Sequence, residues 1–208
     1  MLHLEALPLG TYPVLERLMG MRELQDHALV GGTALALRYG HRLSVDLDLF
    51  AGSFDHDLLK SALFNEFGSA FQYEPGRGIA IGLFCYIDGV KVDIVKYPHS
   101  RISDLTVNDG IRMYADEDLA AMKIQALLGR GRKKDFWDLH VLLQDHDLEH
   151  IIGWHRMKYP DQMLAISIPS AITYFTDAED SETPVSLQGQ TWEDVKAFIS
   201  KAVRDYLS

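Results

Sequence analysis

Leu29-Val30-Gly31-Gly32-Thr33-Ala34-Leu35-Ala36-Leu37 and, shortly after, Val45-Asp46-Leu47-Asp48-Leu49-Phe50 are the stretches on which the fold turns. Residues 28–30 form a short apolar run that reads as a strand and stops at Gly31-Gly32. Thr33 stands where it would cap a short helix over 34–39, which Gly40 would end. Residues 45–50 alternate apolar and acidic, the pattern of a strand. Side chains two apart on a strand share a face, so Asp46 and Asp48 lie together while Leu47 and Leu49 turn to the core.

Outward from there, an amphipathic helix is expected over 11–24 with Pro13 in its first turn. Another is expected over 53–67, with Leu58, Leu59, Ala62, Leu63 and Phe67 on one face. Residues 79–87 and 90–97 are β-rich runs joined by Asp88-Gly89, a pair suited to the positive φ angles of a two-residue hairpin turn. Helices follow over 116–128, with acidic residues in the first turn as the helix dipole favours, over 133–143 and over 148–158, the first two parted by Gly129-Arg130-Gly131. Residues 177–190 read as an acidic loop. Thr191-Trp192-Glu193-Asp194 is a capping-box pattern opening a final helix with Val195, Phe198, Ile199, Ala202, Val203 and Tyr206 on one face. This is an α+β order, with an α+β domain at 1–110 and a helical domain at 111–208.

The 208 residues are 47% hydrophobic and 24% charged, which excludes a disordered or fibrous chain and allows a substantial core. A net charge of -10 argues against a protein that coats DNA through many cationic contacts. A single cysteine, Cys85, permits no internal disulfide, so a cytoplasmic, reducing location is expected. No membrane span and no secretory signal are read. Cys85 reads as a packed hydrophobe, and the nine histidines show no zinc spacing.

Asp46 and Asp48 repel each other unless something positive sits between them, and Mg²⁺ prefers such hard oxygen ligands. Taken alone, the pair also reads as the acidic outer face of a half-exposed strand. Asp93, inside the apolar run Val92-Asp93-Ile94-Val95, is costly to bury without a partner. Its strand could lie beside that of Asp46 and Asp48, building a carboxylate cage for phosphoryl chemistry. It could equally be an edge residue paired with Lys91, which shares its face. Gly31-Gly32-Thr33 offers backbone N–H groups to phosphate at a helix N-terminus, though such turns are common. Arg130, Arg132, Lys133 and Lys134 are the one basic run, either a solvated cluster or an acceptor-binding face.

In this order and spacing, these residues resemble the DNA polymerase β-like nucleotidyltransferase superfamily. The string around Gly31-Gly32-Thr33, with His41-Arg42-Leu43-Ser44-Val45-Asp46-Leu47-Asp48-Leu49-Phe50, is similar to its AbiEii/AbiGii toxin branch. Asp118-Leu119-Ala120-Ala121-Met122-Lys123 resembles that family's third motif. Lys134-Asp135-Phe136-Trp137-Asp138-Leu139 resembles its fourth, where Arg more often precedes the first Asp. The resemblance spans residues 28–143.

It implies a nucleotidyltransferase-type mixed β-sheet with flanking helices and a C-terminal helical domain. Asp46, Asp48 and Asp93 would be the metal ligands, for Mg²⁺ or Mn²⁺, with Asp93 completing the cage or serving as base. Gly31, Gly32, Thr33, Arg42, Ser44 and Lys123 would meet the nucleotide. Lys123 and Asp135 would join the catalytic set, with Asp135 and Asp138 orienting Lys123 or Arg130. Read from the residues alone, Lys123 is an exposed helix position, and His41 and Arg42 are a loop-capping pair or phosphate contacts. The implied reaction transfers a nucleotide from an NTP to a hydroxyl of RNA, such as tRNA, or of a protein. The implied setting is the toxin of a type IV toxin–antitoxin or phage-defence system, with a separately encoded antitoxin and no membrane. A catalytically silent binding module of the same fold, or an antitoxin-like transferase acting on protein, stands as the alternative.

Overall fold

A computed structural model describes residues 1–73, 81–129 and 131–208. Residues 79 and 80 of the expected hairpin arm, and Arg130, fall outside them.

The chain enters its sheet through β1 (Ala28–Val30) and passes directly into α2 (Gly31–Tyr39), which follows α1 (Thr11–Gly20). Gly31 makes the change of direction at φ 70, and Gly40 ends α2 in the left-handed region at φ 60. Thr33 is not the cap expected of it. The helix starts three residues earlier, and the Thr33 hydroxyl instead meets Ser44 Oγ at 2.8 Å and donates to the Asp46 carbonyl. That ties the helix start to the segment leading into β2 (Leu47–Ala51). β2 begins later than expected because residues 42–46 are held as a loop, leaving Val45 58% exposed.

α3 (His56–Phe67) starts where the Asp55 carboxylate accepts from the N–H groups of Asp57 and Leu58, and it turns Leu58 to solvent while burying Leu59 and Leu63. The helix expected over 11–24 stops at Gly20, with a separate 3-10 turn over Arg22–Leu24. β3 (Phe71–Tyr73), β4 (Gly82–Ile87) and β5 (Val90–Lys96) follow. Asp88 and Gly89 both have positive φ, as the hairpin turn requires.

The expected join over 100–115 holds a second hairpin, β6 (Thr106–Asn108) and β7 (Ile111–Met113), turning on Asp109 and Gly110, again both at positive φ. The same Asp-Gly signal was present in the sequence, between arms too short to show alternation. The sheet runs β3-β4-β5-β2-β1-β7-β6. β2 pairs parallel with β5 and antiparallel with β1, and β1 pairs parallel with β7, so the sheet is mixed.

The helical part follows as α4 (Asp116–Gly129), α5 (Lys133–Asp145), α6 (Leu148–Lys158), a short α7 (Ile168–Ile172) and α8 (Trp192–Leu207). Thr191 and Asp194 form the reciprocal capping box. Trp192 stacks on Trp137 at 5.7 Å between centroids, and Val195, Ile199 and Val203 are buried. Phe198 meets the His140 ring, while Tyr206 is 38% exposed. A fully buried pair, Lys158 Nζ to Asp118 Oδ1 at 2.5 Å, ties α6 to α4, and Asp118 also accepts from the N–H groups of Ile102 and Ser103. One hydrophobic core contains residues from both sides of position 110, from Leu15 and Leu49 to Trp137 and Ile199.

Among the described residues no helix is long and apolar enough to cross a membrane. Cys85 is buried, its thiol 3.6 Å from the Val92 carbonyl.

Candidate active site

The parallel register of β2 and β5 sets Leu47 opposite Val92, Asp48 opposite Asp93 and Leu49 opposite Ile94. Leu47, Leu49, Val92 and Ile94 are buried, so the two aspartates share the opposite face. Asp46 stands at the entrance to β2. A cleft of about 250 Å³ lies over Asp46 and Asp48 and is also lined by Gly31, Gly32, Thr33, Arg42, Ser44, Lys123, Lys134 and Asp135. The N-terminus of α2 thus faces the carboxylates across the cleft.

The two glycines have separate reasons. A Cβ on Gly31 would sit 3.0 Å from Asp48 Oδ2, and its φ of 70 disfavours any L side chain. A Cβ on Gly32 would collide with the Arg42 guanidinium.

Burial, then the charges of Asp93 and Asp46, push the Asp48 carboxyl up to about 6, against the pull of Lys91 and Lys134. Asp93 Oδ2 accepts from Lys91 Nζ at 2.6 Å, as the ion-pair reading anticipated, while the buried Oδ1 has no hydrogen-bond partner among the described residues. Burial opposes the charge on Lys91, but Asp93, Asp46 and Asp48 outweigh it and raise its pKa.

These features fit a divalent cation. The donors are hard oxygens, one is orphaned, and the group is short of positive charge. Among the described residues no three His, Cys, Asp or Glu side chains close into a complete cage. Mg²⁺ ordinarily takes one or two carboxylates and fills the remaining positions with water and substrate phosphate.

Behind the cleft lies a buried charge network centred on Asp138 of α5. Arg42 donates to it twice, from Nε to Oδ1 at 2.7 Å and from Nη2 to Oδ2 at 2.9 Å. His41 Nε2 stands 2.8 Å from Oδ1 and Lys123 Nζ 2.7 Å from Oδ2. Lys123 also donates to Asp135 Oδ1 at 2.9 Å, and Asp135 Oδ2 accepts from the Arg132 N–H. Burial disfavours the Asp138 charge, yet Arg42, Lys123 and His41 hold its pKa well below the carboxylate range. Burial lowers His41, so its imidazole is neutral at pH 7.

Lys123 is therefore not the exposed helix position that its sequence context allows. It is buried on the cleft floor with its charge offset by two carboxylates. His41 and Arg42 pin their loop to α5, and Arg42 Nη1 also donates to the adjacent Leu43 carbonyl at 2.9 Å.

The basic run divides. Arg132 is exposed. Lys133 is buried, donating from Nζ to the Glu179 carbonyl and from its N–H to Ser181 Oγ. Lys134 lines the cleft and has no ion-pair partner among the described residues.

The sequence profile of the nucleotidyl transferase AbiEii toxin family, of a type IV TA system, matches residues 14–158. This chain belongs to that family. An uncharacterized protein of Aquifex aeolicus (strain VF5) is 32% identical over 203 residues, covering 93% of this chain and 94% of its own. Among solved structures, JHP933 from Helicobacter pylori superposes with a TM-score of 0.58 at 18% identity, covering 93% of this chain and 87% of that one. The nucleotidyltransferase toxin MenT4 from Mycobacterium tuberculosis H37Rv gives a TM-score of 0.57 at 15% identity, covering 93% and 82%. At these identities the structures establish a shared fold. Gly31, Gly32, Thr33, Arg42, Ser44, Asp46, Asp48, Lys123, Lys134 and Asp135 line one cleft, Asp138 lies behind it, Asp93 adjoins it through Asp48, and Asp118 stands apart, paired with Lys158.

The AbiEii-family site carries a pH dependence whose sign follows from Asp48. Its folded pKa lies above the unfolded value of 3.8, so the protonated form favours folding. That contribution is complete below pH 3.8 and is lost as pH rises through about 6. The metal-free protein is expected to lose on the order of 2 kcal/mol from this group by pH 8. Thermal unfolding from pH 4 to 8 should show the decline in wild type and a flatter curve in Asp48→Asn. Parallel curves would contradict it.

Proposed function

We propose that this chain transfers a nucleotidyl group from an NTP to an acceptor hydroxyl, with Asp46 and Asp48 holding Mg²⁺ or Mn²⁺ and Asp93 beside them as base. The observation that carries the reading is the Asp48–Asp93 register beneath the glycine-led N-terminus of α2. A bound divalent cation would neutralise triphosphate oxygens and the developing charge at the α-phosphorus.

The residues supply the rest. N–H groups at Gly31 and Gly32 receive phosphate oxygens, aided by the helix dipole. Lys134, at the cleft and without an ion-pair partner among the described residues, takes the phosphate role that Lys123, held by Asp135 and Asp138, is less free to play. Asp93 Oδ1 takes the proton of the acceptor hydroxyl as its oxygen bonds to the α-phosphorus and pyrophosphate leaves. Phosphoryl transfer of this kind rests on positioning and electrostatics and needs no covalent nucleophile.

The acceptor we favour is RNA, such as tRNA. The setting is a cytoplasmic type IV toxin in phage defence, with its antitoxin on a separate chain. The test is incubation with each α-labelled NTP, Mg²⁺ and total RNA or lysate. Label entering RNA is the expected outcome. Label only in protein would indicate the protein-modifying transferase. No label, with no NTP-dependent thermal shift, would overturn the reading.

A further inference from the structure

The cleft over Asp46 and Asp48 continues into a second cleft of about 500 Å³. The two share Arg42, Ser44, Asp46 and Lys134. The second cleft's outer wall is residues 181–185, far along the chain from every motif residue of the site. That wall is built in. Leu43 N–H donates to the Val185 carbonyl at 2.9 Å and Leu187 N–H donates to the His41 carbonyl at 3.0 Å, the two backbone bonds of an antiparallel bridge between Arg42 and Ser186. Ser181 Oγ accepts from Lys133 N–H and donates to the Ala178 carbonyl. The segment carrying Arg42 and leading to Asp46 thus holds the wall in register with the carboxylates.

We infer that this second cleft is the nucleoside subsite of the incoming NTP, with 181–185 as the wall against its base; the inference rests on the nucleotidyl-transfer reading above.

The order of the carboxylates orients the substrate. The second cleft reaches Asp46 but neither Asp48 nor Asp93, and the first reaches Asp46 and Asp48 but not Asp93. Asp93 lies beyond both clefts, beside Asp48 on β5. With the acceptor attacking from that side, in-line displacement sends pyrophosphate away from it, and the sugar and base, attached to the α-phosphorus off that line, take the remaining opening at Asp46 toward residues 181–185.

The lining suits a base. Val45 and Val185 are each 58% exposed, apolar side chains that folding has not covered, and Leu43 and Pro184 extend the same surface. A base presents an apolar face to such side chains and polar atoms at its edge. Glu182 and Thr183 supply polar groups on the wall for that edge. Lys134, common to both clefts, stands where the α-phosphate joins the sugar.

The experiment measures binding of non-hydrolysable NTP analogues, and of inorganic tripolyphosphate, to wild type, Val45→Asp, Val185→Asp and Glu182→Ala without acceptor. Both valines face solvent, so the variants should fold, which thermal unfolding checks. The two Asp variants are expected to weaken NTP binding by about tenfold and leave tripolyphosphate binding within about twofold. Glu182→Ala should change the ranking among the four bases. NTP affinity unchanged in both Asp variants would overturn the subsite, and reduced RNA labelling with that result would assign the cleft to the acceptor instead. A wild type that binds tripolyphosphate as tightly as NTP overturns the subsite alone. A wild type that binds neither overturns the nucleotidyl-transfer reading as well.

Discussion

Asp48→Asn is expected to reduce NTP-dependent labelling of acceptor by at least about 10²–10³-fold, the scale of losing one principal electrostatic element of a transfer site. The substitution keeps the shape and removes the charge. Asp48 is the one carboxylate that both lines the cleft and faces Asp93 in register. It is also held near pH 6 by burial and its acidic neighbours, so it has most to gain from a cation. The prediction separates chemistry from folding. The same variant should be at least as stable as wild type at pH 8 without metal, because a buried charge is gone. A stable variant that labels acceptor as well as wild type would show that these carboxylates do not carry the reaction.

Asp138→Ala is expected to cost about 3–5 kcal/mol of stability, the usual consequence of deleting one partner from a buried ionic group. Arg42 would lose both of its bonds to Asp138, Lys123 one of two carboxylates, and His41 its acceptor. Against a typical total of about 5–15 kcal/mol this is a large fraction. A fall of roughly 10 °C in thermal midpoint follows for a chain of this size. Asp135→Ala should cost clearly less, because Lys123 keeps Asp138 and only one backbone N–H is left to water. Denaturant unfolding of both variants checks the order. Equal losses would show that Asp138 is not the centre of the network. Since Asp138 anchors the Arg42 side chain in the segment that leads to Asp46, activity should fall along with stability.

Much of this was legible beforehand, and the reason is local. Alternation over 47–50 decided which face Asp48 takes, with Asp46 left in the loop before β2, and Asp88-Gly89 decided the hairpin that brings Asp93 back, because period and turn geometry are properties of adjacent residues. The parallel register of Asp48 on Asp93 needed one further fact, that β5 docks beside β2, which the resemblance supplied. Asp109-Gly110 carried the same turn signal as Asp88-Gly89, yet its three-residue arms hid the hairpin that completes the sheet. Thr33 looked like a cap because threonine often is one; here a hydroxyl partner on Ser44 competed for it and won.

Lys123 shows the limit most clearly. Along α4 it is a lysine among alanines, which no helical period distinguishes from a solvated one. Its burial depends on Asp135 and Asp138, placed by a different helix. The wall at 181–185 depends still more on tertiary structure, because its composition reads only as an acidic loop and its pairing with 41–43 crosses most of the chain. Sequence alone determined the strand–turn–helix units that present the carboxylates, because those follow from short-range periodicity and sterics, while its motifs carried the resemblance to the family. Which cations are spent on internal carboxylates, which remain for a phosphate, and where the site continues beyond Asp46 were decided only by packing. Those outcomes depend on desolvation and on partners brought together from distant parts of the chain.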